Sequence, residues 1–228
     1  LRNIALRQNL RAAVINPPRP RCSRCQRPAD HCLCALIPQL SSATSLLIIQ
    51  HPLEQRHALN TGRLLAAGLV EAQLLVAEQI PLDSIVQDQL SDPHWRTELL
   101  FPGPGAGLPE PAAATDPRPR RLVLLDGTWR KARKMLALNP VLQRLPRVCL
   151  PAGLVSRYRV RKTRVPDALS TIEAGVHALQ LLEPERDFTA LLHPFEALIE
   201  SQITAMGREC YERNHAPSAG RSGSDTPR

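Results

Sequence analysis

Aromatic side chains are scarce: three Phe, two Trp and two Tyr amount to 3% of the 228 residues. A core without rings must be filled by Leu, Val, Ile and Ala, and the ordinary apolar fraction of 43% can supply them. Long apolar runs are also missing. No stretch approaches the roughly 20 residues needed to span a bilayer, so no membrane partner is expected. The opening LRNIALRQNLRAAVINPP lacks the apolar centre of a secretory signal. It reads as a short terminal helix, with an Arg-rich transit segment as the alternative, and the expected location is cytoplasmic. The chain has no G-x-G-x-x-G, Walker loop, G-x-S-x-G or H-E-x-x-H pattern. Dinucleotide oxidoreductase, nucleotide-triphosphatase, α/β-hydrolase and H-E-x-x-H zinc-protease readings are weak for that reason.

Positive charge, by contrast, is concentrated. The formal charge is +8, and residues 121–164 hold 12 Lys or Arg against a single acid, Asp126. Residues 165–200 hold seven acids and one Arg. A basic segment beside an acidic one reads as a field aimed at a polyanion, above all nucleic acid. Smaller phosphorylated partners, membrane lipid and plain solubility are the alternatives.

Four of the six cysteines fall in C-S-R-C-Q-R-P-A-D-H-C-L-C, residues 22–34. Two close pairs around a Pro-containing turn can place four thiolates about one tetrahedral ion, so Cys22, Cys25, Cys32 and Cys34 predict a structural zinc knuckle. Disulfides, free thiols and an iron–sulfur site are the competing readings. A closed four-sulfur site has no open position for substrate and would staple the fold. Cys149 and Cys210 read as buried small side chains.

The pattern along the chain predicts an α/β fold with a mostly parallel sheet flanked by helices. Strands are expected at 43–50, 72–77, 122–125 and 146–150. A helix is expected from about Pro52 to Gly68, another over 128–138, and a third opened by the capping box S170-T-I-E173. Residues 101–120, with six Pro and three Gly, read as a long surface loop. A last helical region is expected from Phe188 to about Tyr211. The expected domains are an N-terminal segment with the knuckle (1–40), an α/β catalytic domain (41–215) and a disordered tail (216–228).

Asp126 closes an apolar strand and is followed by Gly127 and a helix, the place where parallel sheets put ligands. Its carboxylate either takes a proton or positions a ligand, or it merely caps the helix behind it, with Thr128 as rival cap. Ser156, Tyr158, Arg159 and Arg161 form a second candidate group, since Arg binds carboxylate or phosphate and Tyr stacks on a base. Ser170 and Thr171 cap a helix whose free N–H groups can hold a carboxylate. His51 and His57 read as surface or satisfied core histidines.

D-G-T-W at 126–129, followed by R-K-A-R-K-M, resembles the signature of the DTW-domain family. H-P-L-E at 51–54, N-T-G-R at 60–63, L-F-P at 100–102, S-R-Y-R-V-R at 156–161 and L-S-T-I-E-A at 169–174 agree with it in order. The family's name gives D-T-W, whereas here Gly127 separates Asp126 from Thr128. The resemblance implies a tRNA-uridine aminocarboxypropyltransferase of SPOUT-like fold with a C-terminal trefoil knot. Such an enzyme moves the 3-amino-3-carboxypropyl group of S-adenosylmethionine to N3 of a tRNA uridine, position 47 of the variable loop in the bacterial relatives, and releases 5′-methylthioadenosine.

On that reading Asp126 accepts the N3 proton. Thr61, Phe101, Gly127, Thr128, Trp129, Ser156, Tyr158, Arg159, Arg161, Ser170 and Thr171 hold S-adenosylmethionine. Arg130, Lys131, Arg133, Lys134, Arg157, Lys162 and Arg164 contact tRNA. The rivals are a SPOUT-type RNA methyltransferase using the same cofactor and a non-catalytic zinc-containing RNA-binding module.

Overall fold

The computed structural model describes residues 20–111, 116–160 and 168–215. Its centre is a five-stranded, all-parallel sheet in the order β2-β1-β4-β3-β5. The strands are β1 (Thr44–Gln50), β2 (Ala72–Val76), β3 (Arg96–Leu100), β4 (Arg120–Asp126) and the two-residue β5 (Arg147–Val148). Side chains alternate across a strand, yet TSLLIIQ and RRLVLLD are apolar at successive positions because both sheet faces are covered. Leu46, Ile48, Leu122 and Leu124 enter one core, while Leu47, Ile49 and Val123 enter the other.

The helices divide accordingly. Helices α1 (Thr61–Gly68), α5 (Thr171–Leu182) and α6 (His193–Met206) cover the first face with Leu65, Ile172, Leu179 and Phe195. Helices α2 (Ile85–Ser91), α3 (Trp129–Leu138) and α4 (Pro140–Arg144) cover the second with Leu90, Met135 and Leu142. A short α7 (Arg208–His215) follows a turn at Gly207, whose φ of 85° suits glycine. Helices α1 and α5 pack so closely that a Cβ on Gly175 would collide with Leu65.

The knuckle joins the first core, since Cys25, Leu33 and Ile37 are buried in it and Leu40 bonds to Gly68 and Val70 through the backbone. Among the described residues no helix is long and apolar enough to cross a membrane.

Several expectations need correction. Pro52 opens only a single 3-10 turn to Glu54, with His51 accepting from Leu53 N; the α-helix starts nine residues later, where the Asn60 side chain accepts from Arg63 N. An Asx cap there stops the helix from extending backwards. Strand β3 had no sequence-based counterpart because Thr97 and Glu98 interrupt its apolar pattern. Both are buried, and the Glu98 carboxylate is matched by Arg96 at 2.8 Å and Arg120 at 3.3 Å. Cys149 and Cys210 are half-buried rather than buried. The expected terminal helix (1–18) and the tail (216–228) lie outside the described residues, as do residues 112–115 and 161–167.

Candidate functional site

In the parallel register of β1 and β4, Gln50 sits beside Asp126, so two apolar strands end in adjacent buried polar side chains. Such groups need partners, because an unpaired buried polar atom costs about 1–3 kcal/mol. Gln50 Nε2 donates to Asp126 Oδ2 at 2.6 Å and lies 2.8 Å from Asn60 Oδ1. Thr171 Oγ1, in the first turn of α5, donates to Asp126 Oδ1. The carboxylate also packs on the first turn of α1, where a Cβ on Gly62 would fall 2.6 Å from Asp126 Cγ. Asp126 therefore joins the N-terminal turns of α1 and α5 rather than capping its own helix. That cap is Thr128, which accepts from Lys131 N at 3.4 Å.

Directly beside this chain lies a cavity of about 440 Å³, in the range typical of small-molecule sites. Gly127, Trp129, Arg133, Ser170 and Thr171 line it together with Phe101 and Leu150. Trp129 and Phe101 meet edge to face, with ring centroids 5.6 Å apart. The walls are mostly apolar, with the Thr171 hydroxyl as a link through to Asp126. A planar heterocycle suits the aromatic end, and the buried carboxylate behind the wall suits a cationic group.

The four clustered thiols form a compact set, with ligand atoms all within 4.8 Å of one another. A zinc–sulfur bond of about 2.3 Å requires tetrahedral sulfur–sulfur edges of about 3.8 Å. The Cys25–Cys32 edge is 3.8 Å and the Cys22–Cys34 edge 3.4 Å, too long for disulfides and near that tetrahedron. Backbone N–H groups of Cys25 and Arg24 pull the Cys22 thiol down to about 6, while burial pushes Cys34 up to about 12. The donor set fits a closed structural zinc site.

Residues 19–203 match the family profile described as "DTW domain". The chain belongs to the DTW-domain family. It is 34% identical over 191 residues to tRNA-uridine aminocarboxypropyltransferase 2 of Macaca fascicularis, covering 81% of this chain and 64% of that protein. The mouse protein of the same name is 32% identical over 197 residues, with the same coverage. An Arabidopsis thaliana tRNA-uridine aminocarboxypropyltransferase A is 28% identical over 197 residues, covering 72% of this chain and 73% of that one. The chain thus spans less than two thirds of the first two relatives. No solved structure matches it.

Within this DTW domain the sequence-derived candidates separate. Phe101, Gly127, Trp129, Ser170 and Thr171 converge on the cavity, and Asp126 stands behind it. Thr61 is buried at the start of α1, and Thr128 is exposed as a cap. Ser156 Oγ and Arg157 N bond to the Glu173 carboxylate, stapling that segment to the α5 capping box. Tyr158 packs edge-on against Phe195, and Arg159 pairs with Glu200. Arg161, Lys162 and Arg164 lie outside the described residues.

Among the expected RNA contacts, Lys131 pairs with Glu54 at 2.7 Å, Lys134 with Glu78 at 2.9 Å and Arg157 with Glu196 at 2.5 Å. Arg130 and Arg133 are exposed on α3. His51 is a satisfied core histidine whose Nε2 lies 3.0 Å from Glu78. Gln50 is not among the sequence-derived site candidates, its signal being a polar residue closing an apolar strand, and Asn60 enters there only as the first residue of N-T-G-R.

Proposed function

We propose that this protein is a tRNA-uridine aminocarboxypropyltransferase acting on N3 of a uridine, position 47 being the expected target. The observation that carries this reading is the hydrogen bond from Thr171, on the cavity wall, to the buried carboxylate of Asp126. S-adenosylmethionine, when bound, supplies an amino acid side arm activated by a sulfonium leaving group. Trp129 and Phe101 in the cavity would hold its adenosine half, and Ser170 and Thr171 in the N-terminal turn of α5 would hold its amino acid half.

Asp126 takes the proton from uracil N3, with the Thr171 hydroxyl standing between carboxylate and cavity. Loss of that proton leaves N3 the electron pair that would form the new carbon–nitrogen bond as the carbon–sulfur bond of the side arm breaks, its pair departing on the sulfur of 5′-methylthioadenosine. Gln50 and the first turn of α1 fix the carboxylate, because a small misplacement of a catalytic group is costly. The cysteine cluster holds zinc and stabilises the fold without touching the reaction. The reading includes a cytoplasmic location and a SPOUT-like C-terminal knot.

The test is incubation of the protein with S-adenosylmethionine and unmodified tRNA, followed by mass analysis of the nucleosides and of the by-product. The expected result is a 3-amino-3-carboxypropyl uridine together with 5′-methylthioadenosine. A methyl group with S-adenosylhomocysteine would instead identify a methyltransferase. Binding of tRNA with neither product would leave a binding module.

A further inference from the structure

We propose that a second cavity, between the cysteine knuckle and the start of α1, binds the phosphodiester backbone of the RNA substrate. This rests on the transferase reading above. The cleft has a volume of about 190 Å³ and is lined by Arg21, Arg27, Arg56 and Arg63 together with His31 and His57. Neither Asp nor Glu contributes to its lining.

Among the described residues none of these four arginines has a carboxylate within ion-pair distance. Lys131, Lys134, Arg157 and Arg159 all do. Cations gathered in a concavity repel one another, and a bound polyanion relieves that repulsion. The net charge of the lining stays positive even with a dianionic zinc tetrathiolate next to it.

The donors are also placed for a ligand. Arg27 is fixed by the carbonyls of His31 and Ala58, each at 2.9 Å, leaving part of its five-donor fork available. Arg63 Nε is buried without a hydrogen-bond partner. Guanidinium groups match phosphate oxygens in bidentate fashion, and folded RNA is recognised largely through its backbone.

The position of the cleft relates it to the chemistry. Asn60 lines this cleft, and Thr171 lines the larger cavity. Between them run the bonds Asn60–Gln50, Gln50–Asp126 and Asp126–Thr171. RNA backbone held at one end of this chain would deliver a base to the same strand ends from which the donor is reached at the other.

The experiment uses the full chain and a fluorescent, unmodified tRNA transcript, with affinity measured across a salt series. Arg21→Glu/Arg56→Glu changes two exposed side chains, and Arg21→Gln/Arg56→Gln removes charge without adding repulsion. We expect the Glu pair to weaken tRNA binding at least about tenfold and to make the log–log salt dependence shallower by about 1 to 2, with the Gln pair intermediate. Zinc content, melting temperature and S-adenosylmethionine affinity should match the unsubstituted protein. Unchanged affinity and salt slope in both variants would overturn the cleft as an RNA site while transfer activity, measured separately, still stood. A protein that transfers nothing to tRNA would remove the transferase reading and this proposal with it.

Discussion

The cavity beside Thr171 is walled by Leu, Phe and Trp side chains from the ends of β3 and β4 and from α3, whereas the one beside Asn60 is walled by arginine and histidine. The apolar walls of one suit a small heterocycle; the other concentrates positive charge where a polyanion can approach. Both adjoin the same hydrogen-bonded chain through Asp126. On the proposed function, two substrates of opposite character, an apolar-ended cation and a polyanion, would be kept apart until they meet at one carboxylate. The contrast also shows that cationic residues differ in availability, since Lys131, Lys134, Arg157 and Arg159 are paired with carboxylates and, among the described residues, the four cleft arginines are not.

The largest expected effect is at the shared carboxylate. Asp126→Asn should lower turnover by about 100- to 10,000-fold while tRNA and S-adenosylmethionine still bind, as measured by 5′-methylthioadenosine release and by titration. Unchanged turnover would remove Asp126 from the chemistry.

Gly62→Ala tests position separately from presence. Its added Cβ would press on the carboxylate, and turnover should fall by about 100-fold with Asp126 still in place. Cys22→Ser/Cys25→Ser should lose zinc by elemental analysis and lower the melting temperature, and it should weaken tRNA binding more than cofactor binding because Cys25 lines the basic cleft. Trp129→Ala should give the opposite selectivity, weakening S-adenosylmethionine binding about tenfold with tRNA affinity retained.

The smallest effect is expected at Arg159→Ala. Its side chain is 50% exposed and paired with Glu200, and such surface pairs are worth only about 0–1 kcal/mol. Affinity for tRNA should barely change; a large loss would place Arg159, expected from the sequence to hold the cofactor, at the RNA interface.

How much of this was legible in the sequence depends on whether the determining partners are near in the chain. Strands β1, β2 and β4 appear as apolar runs, and the Ser170 capping box is a four-residue pattern, so each is visible locally. Strand β3 is not, because Glu98 is acceptable there only through Arg96 and Arg120, the latter supplied by the neighbouring strand.

The same reason governs the basic run. Its count between residues 121 and 164 is correct, but its neutralising partners Glu54, Glu78, Glu196 and Glu200 lie far away in sequence. The cleft arginines are likewise scattered from 21 to 63 and form no run. Asp126 stands out as a lone acid ending a strand, whereas Gln50 acquires meaning only from its register with it.

The most direct measurement is a crystal structure of the full chain with S-adenosylhomocysteine and a uridine-bearing tRNA fragment. The account predicts the adenosine beside Trp129 and Phe101, the RNA backbone against Arg21 and Arg56, and a uracil N3 within hydrogen-bond reach of Thr171 or Asp126. Adenosine bound elsewhere, or a target base remote from Asp126, would contradict it.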